Sequence, residues 1–285
     1  TGGEANAIAV RLARNFTGKN KIAFCGYHGW HDWYLSANLN DKENLDQQLM
    51  SGLSPRGVPV GLTGSAFPFM HGDLEYLREL LKKGDVAAVK VETMRSEYPD
   101  LLYLEAMRDL CNEFGAVLIF DECTSGFRET FGGFYLKYDV LPDLVVLGKT
   151  IANGFPITTV LGSELVMNAA QTTFISSTFF TDRVGFAAAL KTLEIMERER
   201  TWKKLKTIGS YFKKGLQELF DESDIDISQS GMRALPVWSY RDPKANIFKT
   251  FITERMLERG YLFASAFYPT SCHEKSDVDD LFTDL

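Results

Sequence analysis

Two short apolar runs limit what this chain can fold into more than any other feature. "AVLIFDE" (116–122) and "DLVVLGK" (143–149) are apolar through their middles and end in charge, Asp121 and Glu122 in the first and Lys149 in the second. A strand that is apolar on both faces sits between two layers of helix, which is the setting of a parallel sheet. Segments 22–25, 86–92 and 158–163 read as further strands. "DLEYLRELLKKG" (73–84) is an amphipathic helix with an acidic start, a basic end and a closing glycine, as the helix dipole favours; "LLYLEAMRDLCNEFG" (101–115) is another. Helices alternating with strands predict an α/β fold, a mostly parallel central sheet flanked by helices. Residues 36–70, rich in Asn, Gly, Pro and Ser, read as loop with little regular structure. From Val184 one long helical pattern runs on, and a domain boundary is expected within it near residue 200. That gives a large domain over 1–200 and a small α+β domain over 201–285, with "ALPVWSY" (234–240) and "GYLFAS" (260–265) as strands and 247–259 as a helix.

Open parallel sheets carry their ligand groups beyond the C-terminal ends of the strands. Glu92, Asp121, Glu122 and Lys149 occupy that kind of position. A lysine there suits Schiff-base chemistry, because partial desolvation makes its neutral amine accessible for attack on an aldehyde; a snorkelling surface lysine is the alternative. Asp121, on a separate strand, is placed to keep a pyridinium nitrogen protonated, which makes the ring of pyridoxal phosphate an electron sink. A helix-capping or loop-bracing aspartate is the competing explanation. "TGG" at the start of the first helix offers backbone N–H groups, the positive end of a dipole and glycines that allow close approach to a phosphate. An ordinary loop and cap would also account for it.

Composition excludes several other classes. A net charge of -7 argues against nucleic acid as the main partner, since phosphate neutralisation needs a basic face. No run approaches the roughly 20 apolar residues of a membrane span. Cys25, Cys111, Cys123 and Cys272 lack disulfide or metal-ligand spacing and read as free thiols of a reducing, cytoplasmic compartment, with no metal site.

Four longer stretches carry a family resemblance: "TGGEANAIAVRLARNFTGKNKIAFCGYHGWHD", "GAVLIFDECTSGFRETFGGF", "YDVLPDLVVLGKTIANGFPITTVLGS" and "SSTFFTDRVGFAAALKTLE". In this order they resemble the class III (fold type I) aminotransferases that use pyridoxal 5'-phosphate, closest to the branch around glutamate-1-semialdehyde aminomutase. The resemblance covers roughly residues 1–200, with a weaker match in "RGYLFASAFYPTSCHEKSDVDDLF". It implies that Lys149 forms the Schiff base and shuttles the proton, and that Asp121 pairs with the pyridine nitrogen. Gly2 and Gly3 would meet the phosphate, and Tyr27 would stack on the ring. Cys123 stands where the family usually has a valine against the other ring face. Thr178 would reach the phosphate of the neighbouring subunit, so the resemblance implies a homodimer with a shared active site. His28 follows the stacking aromatic, where a cofactor role and a loop-bracing role weigh about equally. His31 and His273 read as exposed or structural. Glu92 lies near the cofactor or braces a loop, and Arg95 and Arg128 either hold a substrate carboxylate or are salt-bridged structural arginines.

The departures from that branch matter. Gly3 replaces a frequent Ser or Thr, Glu97 stands where the aminomutase has an asparagine near the ring hydroxyl, and "AFYPTS" lacks an acid found before the matching His273. These favour an aminotransferase acting between a small-molecule amino donor and a carbonyl acceptor over the intramolecular aminomutase reaction. A catalytically silent binding module is the third reading, and retention of Lys149 and Asp121 counts against it. Because the chain opens on a helix cap at Thr1 and ends at "DLFTDL", it is expected to be a piece of a longer protein, with the large domain incomplete at its N-terminal side and the last helix clipped.

Overall fold

The computed structural model describes residues 1–48, 51–223 and 225–285. They pack as two compact units, one of 1–93, 99–126 and 132–193, the other of 94–98, 127–131 and 194–285.

The larger unit is a sheet between helices. Helix α1 (Gly2–Thr17) leads to β1 (Lys21–Cys25), and β2 (Ala66–Pro68), α2 (Leu74–Lys82), β3 (Val86–Glu92), α3 (Leu101–Phe114), β4 (Val117–Glu122), β5 (Leu144–Leu147) and β6 (Thr159–Gly162) follow. The strand order is β2-β1-β3-β4-β5-β6, with β6 antiparallel to β5 and the other pairs parallel. Local chemistry sets the ends. Asp73 and Asp100 cap α2 and α3 by accepting from Tyr76 N and Leu102 N, and Gly115 closes α3 in the left-handed conformation.

Side chains alternate across the strands, so each strand feeds two cores. Ile22, Phe24, Ala88, Ile119, Leu144 and Val146 pack with Ala5, Ala9, Leu12 and Ala13 of α1. Ala23, Val89, Val91, Leu118 and Phe120 pack with Leu77, Leu81, Leu104 and Met107 of α2 and α3. This alternation decides the fate of the two acids that end β4. Asp121 continues the face of Ile119, toward α1, while Glu122 continues the face of Phe120.

Two expectations differ from what is found here. The 36–70 stretch contains strand β2, whose Pro68 is tolerated because β2 is an edge strand. The long helical pattern is two helices, α4 (Arg183–Glu199) and α5 (Thr201–Glu222), parted at Arg200, whose φ of 51° leaves the helical region.

The second unit pairs β7 (Ile227–Ser230) with β8 (Val237–Tyr240) and adds α5, α6 (Ala245–Glu258) and α7 (Lys275–Asp284) around Phe212, Leu216, Phe220, Trp238 and Phe263. β7 was not expected, and "GYLFAS" is not a strand; its neighbourhood makes only an isolated bridge, Ala266 to Val237. Leu262 is 95% exposed, so the apolar run that suggested a strand does not enter the core as one. Gly209 of α5 lies so close to the 231–236 segment that a Cβ there would stand 1.8 Å from Arg233 O.

Candidate active site

The site assembles where α1 begins and where β4 and β5 end. Thr1 and Glu4 form a capping box at the start of α1. A Cβ on Gly2 would lie 3.5 Å from Cys123 Sγ, and one on Gly148 would lie 3.3 Å from the same atom. The Cys123 sulfur therefore joins the first turn of α1, the residue after β4 and the glycine before Lys149. Thr150 Oγ1 donates to Gly126 O at 2.8 Å, tying the loop after β5 to the loop after β4.

Asp121 is 4% exposed and carries three hydrogen bonds. Its Oδ2 accepts from Asn6 Nδ2 at 2.7 Å and pairs with His28 Nδ1 at 2.9 Å, while its Oδ1 accepts from Cys123 N at 3.1 Å. Burial opposes its ionisation, but the Lys90 ammonium and His28 outweigh that and hold the carboxyl well below the usual carboxylate range. Cys123 stays a thiol: burial and the neighbouring Asp121 push it up to about 12.

Glu122 is fully buried yet faces away from this cluster. Its carboxylate takes a very short hydrogen bond from Ser125 Oγ and accepts from Phe134 N at 2.9 Å and Tyr135 N at 3.1 Å. It anchors the loop after β4 and does not belong to the site. Glu92 accepts from Tyr27 N at 2.9 Å, and a Cβ on Gly26 would sit 2.6 Å from Glu92 Oε2. With φ of 107° at Gly26, the turn into Tyr27 requires glycine and uses Glu92 as its brace.

Lys149 holds φ of 44°, in the left-handed region that a residue with a side chain rarely adopts. Its Nζ donates to Thr124 Oγ1 at 2.6 Å. The expected desolvation of this amine is not found: the side chain is exposed, because the strand ends at Leu147 and Lys149 lies beyond the apolar layer. Backbone strain and Thr124, rather than apolar walls, fix its direction.

The other residues named from the sequence fall as follows. Gly2 and Gly3 open α1, and a Cβ on Gly3 would meet the His31 ring at 2.9 Å, so this turn has no room for a Ser or Thr unless His31 moves. Tyr27 is half-buried with its ring edge-on to Tyr34 at 5.7 Å. Thr178 is exposed on the 178–181 turn, and among the described residues it makes no hydrogen bond or ion pair to the cluster. Arg128 belongs to the second unit, buried with its guanidinium 5.3 Å from the Tyr268 ring centroid. His273 accepts from Thr270 N at 2.9 Å. Asn6, Thr124 and Lys90 are the residues that sequence reasoning missed. Asn6 was visible as a polar residue on the alanine face of α1, and Lys90 as a charge inside "VAAVKVE". Among the described residues no group of three or more His, Cys, Asp or Glu is arranged to hold a metal, and no helix is long and apolar enough to cross a membrane.

The family model for "Aminotransferase class-III" matches residues 1–269. The chain belongs to the class III aminotransferase family. It is 32% identical over 295 residues to 3-aminobutyryl-CoA aminotransferase of Cloacimonas acidaminovorans, covering 99% of this chain and 67% of that protein. It is 33% identical over 303 residues to glutamate-1-semialdehyde 2,1-aminomutase of Methanothrix thermoacetophila, covering 98% of this chain and 69% of that one. The class III chain thus spans about two thirds of the length of these relatives. Its fold is that of the FumI protein of Sphingopyxis sp. MTA144, solved in its PLP internal aldimine form, with TM-score 0.87, 24% identity and coverage of 100% of this chain and 67% of that one. The mostly parallel sheet flanked by helices is that of pyridoxal-phosphate-dependent transferases.

Proposed function

We propose that this chain carries the cofactor site of an aminotransferase that uses pyridoxal 5'-phosphate to move an amino group from a small-molecule donor to a carbonyl acceptor. The observation that carries the reading is Asp121: a buried, ionised carboxylate at the sheet end where the first turn of α1 and the approach to Lys149 meet. The chemistry of this set fits the cofactor. Asp121 would be the acceptor for a protonated ring nitrogen, Gly2 and Gly3 would offer first-turn N–H groups of α1 to a phosphate, and Lys149 would be the amine for its aldehyde.

When bound, the cofactor supplies an electron-withdrawing ring that stabilises negative charge on the substrate carbon next to the nitrogen. The residues of the chain do the rest. Asn6, His28 and the Cys123 amide hold the Asp121 carboxylate in place, so it would accept from the ring nitrogen without reorganising. Cys123, held as a neutral thiol, would help hold the ring without reacting with it. Thr124 aims the Lys149 amine, which takes and returns the substrate proton as a general base. Tyr27 is the aromatic that would help hold the ring.

Transfer between two molecules is favoured over the intramolecular shift by Glu97 and by "AFYPTS", where the aminomutase pattern differs. Incubation with one substrate and no acceptor should yield no rearranged product; rearrangement would support the aminomutase. A homodimer is supported by the exposed apolar residues around Thr178, among them Phe174, Phe179, Phe180, Phe186 and Leu190. Free cysteines support a reducing, cytoplasmic location. The division into a cofactor-binding domain over 1–200 and a small C-terminal domain is part of the same reading.

Borohydride reduction of the cofactor-loaded protein, followed by peptide mapping, tests the assignment. The label is expected on Lys149 and absent from Lys149→Ala. A label on any other lysine overturns it.

A further inference from the structure

Strand β3 carries one charge in the middle of an apolar run. Lys90 is fully buried, and its Nζ has no hydrogen-bond partner among the described residues. Strand pairing sets it between Phe24 of β1 and Ile119 of β4, on the face that α1 covers. Asp121 stands two residues beyond Ile119 on the same face, about 6–7 Å further along at roughly 3.3 Å per residue. Burial pulls the Lys90 ammonium below the ordinary lysine range, and the groups that oppose this are Asp121, then Cys123, then Glu92, all at the C-terminal ends of β3 and β4. The flexible four-carbon stem therefore directs the ammonium toward the strand ends, where the candidate site lies.

An ammonium buried without hydrogen bonds is costly unless an opposite charge offsets it. The titratable groups facing Lys90 are Asp121 and Cys123 from β4 and its end, and Glu92 from β3 itself. His28, from the loop after β1, is bonded to Asp121, and α1 contributes the neutral Asn6. Cys123 is held as a thiol and Glu92 is engaged with Tyr27 N, which leaves Asp121 as the buried anion that balances Lys90.

We propose that Lys90 is the resident counter-ion of Asp121 and a positioning residue for the cofactor, competing with the protonated ring nitrogen for that carboxylate. The first half stands without the cofactor; the second rests on the cofactor reading above. Two cations then share one carboxylate, and their repulsion loosens the hold on the ring. Lys90 thereby keeps Asp121 ionised before the cofactor arrives and limits how tightly the ring is gripped afterwards.

Two experiments separate these halves. In cofactor-free protein, a double-mutant cycle of Lys90→Met and Asp121→Asn, followed by thermal melting, reads the ion pair. Asp121→Asn is expected to lower the melting temperature more in the wild type than in the Lys90→Met background; additive effects would overturn the ion pair. In the second experiment, affinity is measured for pyridoxal phosphate and for its 1-deaza analogue, which lacks the ring nitrogen. Lys90→Met is expected to bind pyridoxal phosphate about tenfold tighter, the equivalent of one pKa unit at the ring nitrogen, with no gain for the analogue. Equal changes for both ligands would reduce Lys90 to a packing role and overturn the competition. Lys90→Leu repeats both measurements should the Met variant fold poorly. Failure of the wild type to bind pyridoxal phosphate would overturn the cofactor reading and the competition with it, while the cofactor-free cycle would still decide the ion pair.

Discussion

Asp121 and Glu122 are neighbours in sequence, end the same strand and are both buried, yet the two faces of the sheet make them opposites. On the α1 side Asp121 meets Lys90, His28, Asn6 and one backbone N–H, and its carboxyl is held far down. On the other side burial pushes the Glu122 carboxyl up despite the hydroxyls of Ser125 and Thr93 and two backbone N–H groups, and among the described residues no cation ranks with them. Hydrogen bonds alone do not keep a buried carboxylate charged; the nearby cations decide it. One acid is thereby ionised, which suits the cofactor role proposed for it, and the other serves as an anchor for the loop that presents Thr124.

The largest effect expected from breaking this contrast is on turnover. Asp121→Asn should lower kcat by roughly 10²–10⁴-fold, the range typical when a positioned proton-handling group is lost. Borohydride should still trap the cofactor on Lys149, because the amine itself is untouched. A variant within a few-fold of wild type would show that the carboxylate does not serve the ring.

Glu122→Gln probes the opposite face. The amide keeps one acceptor oxygen where the carboxylate used two, so a buried donor among Ser125, Phe134 and Tyr135 loses its partner. Urea titration should report a loss of about 1–3 kcal/mol, with the protonation state of the bound ring unchanged. A collapse of cofactor binding with no loss of stability would reverse the roles assigned to the two acids.

The smallest effect is in the pH dependence of stability, where the two acids differ in sign. The folded pKa of Asp121 is depressed, so its contribution is fully present above the ordinary aspartate value of about 3.9 and is lost as pH falls through the folded value. The folded pKa of Glu122 is raised, so its contribution is present below the ordinary glutamate value of about 4.3 and is lost as pH rises through the folded value. Melting temperatures of Glu122→Gln across that upper window should slope less than those of the wild type.

The same strand shows what a sequence reveals and what it withholds. "AVLIF" and "LVVL" announced their strands because apolar runs between turn signals have few other uses, and the acids at their ends pointed to the site. Which acid faces α1 follows from the period of two only once the pairing register is known, so Glu122 entered the candidate set beside Asp121. The exposure of Lys149 was not legible either, since it depends on where the strand stops relative to the apolar layers. Asn6 and Lys90 left visible signals, polar residues in apolar patterns, whose meaning needed the α1–sheet packing. β2 was hidden by Pro68, and the break between α4 and α5 by an Arg200 that adopts a left-handed backbone without being glycine. "GYLFAS" misled in the other direction, its leucine facing outward.

The roles proposed for the two acids rest on the partnership between Asp121 and the ring nitrogen. Nitrogen NMR of the protein loaded with ¹⁵N-ring-labelled pyridoxal phosphate tests it directly. The wild type and Glu122→Gln should show a protonated ring nitrogen through neutral pH, and Asp121→Asn a deprotonated one. A ring nitrogen that stays protonated in Asp121→Asn, or is unprotonated in the wild type, would contradict the account.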